Sequence, residues 1–204
     1  MNKFVLALIC LFICFLFGPL SLSQAAENPT ISPQDKIIAQ CTETIAANPG
    51  DYFAYYSRGN AHMKKGLLDE ALADFSKAIE IKPDYVAAYH GRAWINQTRK
   101  KWDAAIEDYS QAMKIDSSYY WAYNNRAACY EMKEQYDLEI SDAIRATELD
   151  PKRANAYFHL GYAYTVKHQY DEAIAAYRAV IANSTDPKDI ENAKGKIRAL
   201  GGSV

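Results

Sequence analysis

The sequence predicts an all-α solenoid made of copies of one helix–turn–helix unit. Three observations carry this prediction: a strict 34-residue period, helical spacing of apolar residues within each period, and prolines (Pro83, Pro151) just beyond the second helix of a unit. Tyr55, Tyr89, Tyr123 and Tyr157 are 34 residues apart, and Gly59, Ala93, Ala127 and Gly161 follow them by four. Leu68, Trp102, Tyr136 and Tyr170 keep the same interval, as do Asp69, Asp103, Asp137 and Asp171, and Ala78, Ala112, Ala146 and Val180. Four copies in phase, with no insertion, do not arise by chance.

The chain opens with a segment of a different kind. Lys3 precedes an unbroken apolar run from Phe4 to Phe17, Gly18-Pro19 interrupts it, and Ser23-Gln24-Ala25 supplies small residues before a cut. This three-part pattern is that of a secretory signal peptide over residues 1–25. The run is shorter than the roughly 20 apolar residues of a spanning helix. The protein is therefore expected to be exported, to a periplasm or beyond. Retention of the segment would instead anchor it to a membrane. Cys10 and Cys14 lie inside the run, with no small residues before them to suggest a lipid-anchored cysteine.

Residues 26–51 read as a short leader followed by a helix from Ser32 to Ala47, with Ile37, Cys41 and Ile45 spaced by four. Pro49 stands 34 before Pro83, so this helix matches the second half of an incomplete earlier unit. The complete units span 52–85, 86–119, 120–153 and 154–187. In the first, Tyr55, Gly59 and His62 share one helical face, a turn follows, and a second helix runs from Asp69 to about Ile81. Asp at its start suits an N-cap, and Glu70 and Glu172 suit the positive end of the helix dipole. Residues 188–204 read as a capping helix, with Ile190, Ala193, Ile197 and Leu200 apolar and Gly201-Gly202 ending it.

These positions resemble the tetratricopeptide repeat pattern: Tyr55, Gly59, Ala71, Phe75, Ala78 and Pro83 in the first copy, and Tyr157, Leu160-Gly161, Tyr164, Ala173 and Tyr177 in the fourth. The third copy departs from it at Glu139 and Ala143, where alanine and an aromatic are expected, and the second at Asn96 and Ser117. These departures are expected to weaken packing locally. The resemblance implies a right-handed superhelix whose first helices line a concave peptide-binding groove.

On the stripe facing that groove lie Phe53, Tyr56, Asn60 and Met63, then Ala87, His90, Trp94 and Gln97. Trp121, Asn124, Ala128 and Glu131 follow, then Asn155, Phe158, Tyr162 and Thr165, with Asn125 beside the third set. Aromatic rings offer apolar anchors, and asparagine can both donate to and accept from a peptide backbone. Some members of the family clamp a C-terminal carboxylate with Lys, Asn and Arg. Asn60 matches the Asn, but Tyr56 and Trp121 stand at the lysine positions and Asn125 at that of Arg, which argues against a clamp here. Arg58, Arg92 and Arg126 recur one before the small residue and are expected to pair with acidic side chains between units.

Composition narrows function by exclusion. The chain has 204 residues, 50% hydrophobic, with a net charge of −2 and no basic stripe, so a nucleic acid partner is not indicated. Cys41 and Cys129 are 88 residues apart, too far in repeat count to bridge, and read as buried thiols. His62, His90, His159 and His168 are scattered, and no H-E-x-x-H, C-x-x-C, phosphate loop or nucleophile elbow occurs. No catalytic residue, metal site or cofactor is expected. The expected partner is a protein or peptide segment in the groove; the alternative is a structural role, by self-association or by holding a membrane-associated complex.

Overall fold

A computed structural model describes residues 31–203. The N-terminal segment, including the signal-peptide reading, lies outside the described residues. Among the described residues there are ten helices and no strand. The helices are α1 (Pro33–Ala47), α2 (Tyr52–Lys64), α3 (Leu68–Ile81), α4 (Val86–Thr98), α5 (Trp102–Ile115), α6 (Tyr120–Met132), α7 (Tyr136–Leu149), α8 (Ala154–Val166), α9 (Tyr170–Asn183) and α10 (Pro187–Ala199). From α2 onward each packs on the next, and α4, α6 and α8 also touch in succession, so the core is a line of neighbour contacts. No described helix is long and apolar enough to cross a membrane.

Each first helix ends the same way. Gly66, Lys100, Glu134 and His168 take φ of 77°, 58°, 57° and 60°. The following residue's N–H reaches back to the carbonyl three before the cap: Leu67 to His62, Lys101 to Asn96, Gln135 to Tyr130 and Gln169 to Tyr164, at 2.8–3.0 Å. This is a Schellman closure, which needs a left-handed residue after the cap. Only Gly66 adopts that conformation without crowding a Cβ.

The recurring Asp is not an N-cap. Helix α3 begins at Leu68 with Leu67 as its cap, and no side chain accepts there. The same holds for α5, α7 and α9. Asp69 instead pairs with Arg99 of the next unit at 2.7 Å. Asp103 pairs with Lys133, Asp137 with Lys167, and Asp35 with Lys65, each 30 residues on, so the repeated acid stitches one unit to the next. Side-chain N-caps occur at Asp51 and Asp186.

The large rings of the deep core come from the second helices. Phe75, Tyr109 and Tyr177 are 0%, 0% and 2% exposed. The recurring Tyr55, Tyr89, Tyr123 and Tyr157 are half-buried. Tyr123 and Tyr157 donate their hydroxyls to the carbonyls of Ser117 and Pro151 in the preceding loop. Phe75 is wedged between units: a Cβ on Gly59 would lie 2.9 Å from its ring, and one on Gly91 of the next unit 2.8 Å.

The recurring arginines pair within their own unit rather than between units. Arg58 holds Asp74, Arg92 holds Asp108 and Arg126 holds Asp142, with the nearest contacts at 2.7 Å. Each also donates to a hydroxyl of the preceding unit: Thr42, Ser76 and Ser110. Thr42 lies in α1, so α1 and its Asp35 occupy the place of a second helix. The fourth unit replaces the ion pair with Leu160 and Ala176, both buried. Asn96, at an aromatic position, is buried and turns its amide toward Asp108, as His62 does toward Asp74. At the far end, Ala193 and Ile197 of α10 pack with Tyr177 and Val180.

Candidate functional site

The first helices of the second and third units, with Tyr119 just before α6, place six side chains around a hollow of about 420 Å³: His90, Trp94, Gln97, Tyr119, Trp121 and Asn125. Trp94 and Trp121 are 41% and 37% exposed, unusual for tryptophan on a folded surface. They reach the hollow from different heights, Trp94 from the middle of α4 and Trp121 from the first turn of α6. The Arg153 guanidinium lies 4.6 Å from the Trp121 ring and 5.0 Å from that of Tyr120, holding the indole on its outer side.

The polar lining is ordered. Asn125 donates from Nδ2 to His90 Nε2 at 3.0 Å, and its Oδ1 accepts from Asn124 at 3.1 Å. Burial lowers the His90 pKa, so the ring is neutral, and accepting at Nε2 leaves its proton on Nδ1. The ring packs edge-on to Tyr119 at 5.5 Å. Gln97 Oε1 accepts from the buried Tyr109 hydroxyl at 2.8 Å. The Asn125 amide is engaged by His90 and lies against the Tyr109 hydroxyl, whereas Gln97 is held through its oxygen and leaves its amide N–H groups for a backbone carbonyl.

Of the residues expected on the groove stripe, His90, Trp94, Gln97, Trp121 and Asn125 converge here. Tyr119 was not expected; the signal available in the sequence was Tyr85, its counterpart 34 residues earlier. Asn124 is not available to a ligand: it is 5% exposed and accepts from Tyr120 at 3.2 Å. Tyr56 and Phe158 are half-buried against core rings, Tyr56 on Phe75 at 5.9 Å and Phe158 on Tyr177 at 6.4 Å. Phe53, Asn155 and Tyr162 are exposed, and Asn60 is half-buried. Tyr162 leans edge-on toward Tyr136 at 6.3 Å.

One of the scattered histidines meets two carboxylates. His159 of α8 meets Glu131 at the end of α6 and Glu139 at the start of α7, the three ligand atoms lying within 4.8 Å of one another. The expectation that no potential metal ligands cluster is therefore corrected by the fold, which brings together residues 8 and 20 apart. Cys129 is buried, with its thiol pushed up to about 12 by burial, which suits a packing role and not a nucleophile. Cys41 and Cys129 are both free thiols.

Comparison with known proteins agrees with the architecture. Models of the tetratricopeptide repeat match residues 52–85 and 140–187, and a TPR repeat model matches 98–133, together more than half of the chain. No curated protein matches. Among solved structures, the chain is similar to PilW, described as a widely conserved type IV pilus biogenesis factor, at 19% identity and a TM-score of 0.71, covering 83% of this chain and 80% of that one. It is also similar to MamA, at 20% identity and a TM-score of 0.69, covering 79% and 96%. YrrB, described as a TPR protein with an unusual peptide-binding site, aligns at 22% identity and a TM-score of 0.67, covering 79% and 84%. At these identities the likeness establishes the fold, and with the repeat models it places the chain in the tetratricopeptide repeat family, whose members generally mediate protein–protein contacts.

Proposed function

We propose that this protein is a non-enzymatic binding scaffold that takes an extended segment of a protein partner between α4 and α6, outside the cytoplasm. The observation that carries the reading is the exposed pair Trp94 and Trp121 facing one hollow with ordered amides at its wall. Large aromatics held half out of the core cost solvation and are typical binding anchors. The Gln97 N–H groups suit a main-chain carbonyl, and the neutral His90 adds no charge. The segment that fits therefore carries an apolar side chain between the indoles and needs no terminal carboxylate. YrrB supplies a peptide-binding precedent on the same fold. The extracytoplasmic setting rests on residues 1–25 and predicts a mature chain beginning near Ala26, read by the mass of protein exported from its host.

Selection from a displayed peptide library tests the groove. Wild type should enrich segments with a recurrent apolar or aromatic anchor, and Trp94→Ala/Trp121→Ala should lose them while keeping its helical circular dichroism. Peptides that bind the double variant equally well would place binding elsewhere. A mass by light scattering that rises with concentration in wild type and not in the variant would instead make the groove a self-association surface.

A further inference from the structure

The third unit breaks the repeat at two positions, and the fourth answers it. Where the other units carry Ala71, Ala105 and Ala173, the third carries Glu139, which is 0% exposed. Where they carry Phe75, Tyr109 and Tyr177, it carries Ala143. The register sets Gly91 against Phe75, a Cβ there falling 2.8 Å from the ring. At the corresponding place against Ala143 stands His159. An imidazole has thus replaced a glycine opposite the position where a ring has been removed.

The imidazole points between two carboxylates. His159 Nδ1 is 3.2 Å from Glu131 Oε2 and 3.5 Å from Glu139 Oε1. The Glu139 contact lacks hydrogen-bond alignment, and neither of its buried oxygens has a hydrogen-bond partner among the described residues. A buried carboxylate with no donor is costly and calls for a counter-charge. A protonated His159 would still leave two negative charges facing one positive. A divalent cation with a neutral imidazole brings the cluster to zero. Tetrahedral ligands about 2.0–2.1 Å from a zinc ion are separated by about 3.3 Å; the two imidazole–carboxylate distances bracket this value, and the two carboxylates lie within 4.8 Å of each other. Glu131 is 31% exposed, so solvent reaches the cluster on that side and leaves room for a fourth ligand.

We infer that Glu131, Glu139 and His159 form a site for a divalent transition cation of the zinc class, bound through Glu131 Oε2, Glu139 Oε1 and His159 Nδ1, with the fourth position open to water. Such a site pins α6, α7 and α8 together at the junction of the third and fourth units. It is independent of the peptide reading, because none of its ligands lines the Trp94–Trp121 hollow.

The test uses untagged mature chain stripped with a chelator and titrated with Zn²⁺ by calorimetry. Wild type should bind one equivalent with micromolar or tighter affinity and melt at a higher temperature when loaded. Glu139→Ala installs the residue found in the other three units and is expected to fold; it should weaken binding at least tenfold and abolish the thermal shift, as should His159→Asn. Co²⁺ in place of Zn²⁺ should give the intense visible absorption of four-coordinate cobalt in wild type alone. Absence of one-equivalent binding by wild type, or binding that survives both substitutions, overturns the site.

Discussion

Raising the pH from 7 to 9.5 in the presence of a chelator should destabilise the apo protein through His159. Burial works against the charged ring, but its contacts with Glu131 and Glu139 outweigh this, and its pKa is raised to about 9 from an ordinary 6.5. A group whose pKa is raised by folding binds its proton more tightly in the native state. Its stabilisation is complete below the unfolded value and is lost as pH rises through the native one. The difference is worth roughly 3 kcal/mol at 1.36 kcal/mol per unit, of which about 2–3 kcal/mol should disappear between pH 7 and 9.5. Urea denaturation at half-unit pH steps reads this directly; in melting temperature it is on the order of 5–10 °C for a chain of this size. His159→Asn should remove this dependence and serves as the baseline for groups titrating later, such as Cys129. Burial also raises the Glu139 pKa, a change of the same sign that acts at lower pH. A wild-type curve parallel to that of His159→Asn between pH 7 and 9.5 would refute the charged-imidazole description of the apo cluster.

Arg126→Leu should cost about 3–5 kcal/mol, because it leaves Asp142 buried and unpaired, whereas Arg126→Leu/Asp142→Ala should fall within about 1 kcal/mol of wild type; the fourth unit already carries Leu160 and Ala176 there, and chemical denaturation compares the two. Gly66→Ala should lower stability by about 1 kcal/mol, since a Cβ there meets nothing within 4 Å and only the left-handed backbone opposes it. Lys100→Gly, at the same turn, should raise the melting temperature slightly by relieving the converse strain. Deleting residues 187–204 uncovers Tyr177 and Val180, so the truncated chain should melt earlier and aggregate on heating in light scattering; unchanged behaviour would make α10 a tail rather than a cap.

The period and its phase made the helices legible, because apolar spacing and four aligned copies answer to backbone geometry alone. The turns were less so. Lys100, Glu134 and His168 sit at a left-handed position that only Gly66 advertises, so one unit in four showed the signal. Asp69 and its equivalents look like caps in sequence because caps and inter-unit ion pairs both draw acids to the helix start; the distinction lies in where Arg99, Lys133 and Lys167 arrive. Tyr55 and its equivalents recur as strictly as core residues do, yet the hydroxyls of Tyr123 and Tyr157 need the loop carbonyls, which holds those rings half out. Helical periodicity turned Trp94 and Trp121 away from the core face, and both are exposed. It could not show that Asn124 is consumed by Tyr120, a choice made by side-chain packing.

In a solenoid each unit touches only its neighbours, so a substitution at one register position is answered by the facing position of the same or the next unit. Arg–Asp becomes Leu160–Ala176 within one unit, and Phe75 against Gly91 becomes Ala143 against His159 across a junction. The first exchange removes two charges together and leaves two buried apolar side chains in their place. The second removes a ring but adds a carboxylate and an imidazole to a site that packing alone would have filled with carbon. Apolar filling, with alanine in place of Glu139 and an aromatic ring in place of Ala143, would avoid the desolvation of that carboxylate, as the other three units do. The cost of keeping it buried is what separates this junction from ordinary drift in packing. Together with the non-repeating tryptophans, it sets the second to fourth units apart as the chemically specialised part of an otherwise regular array.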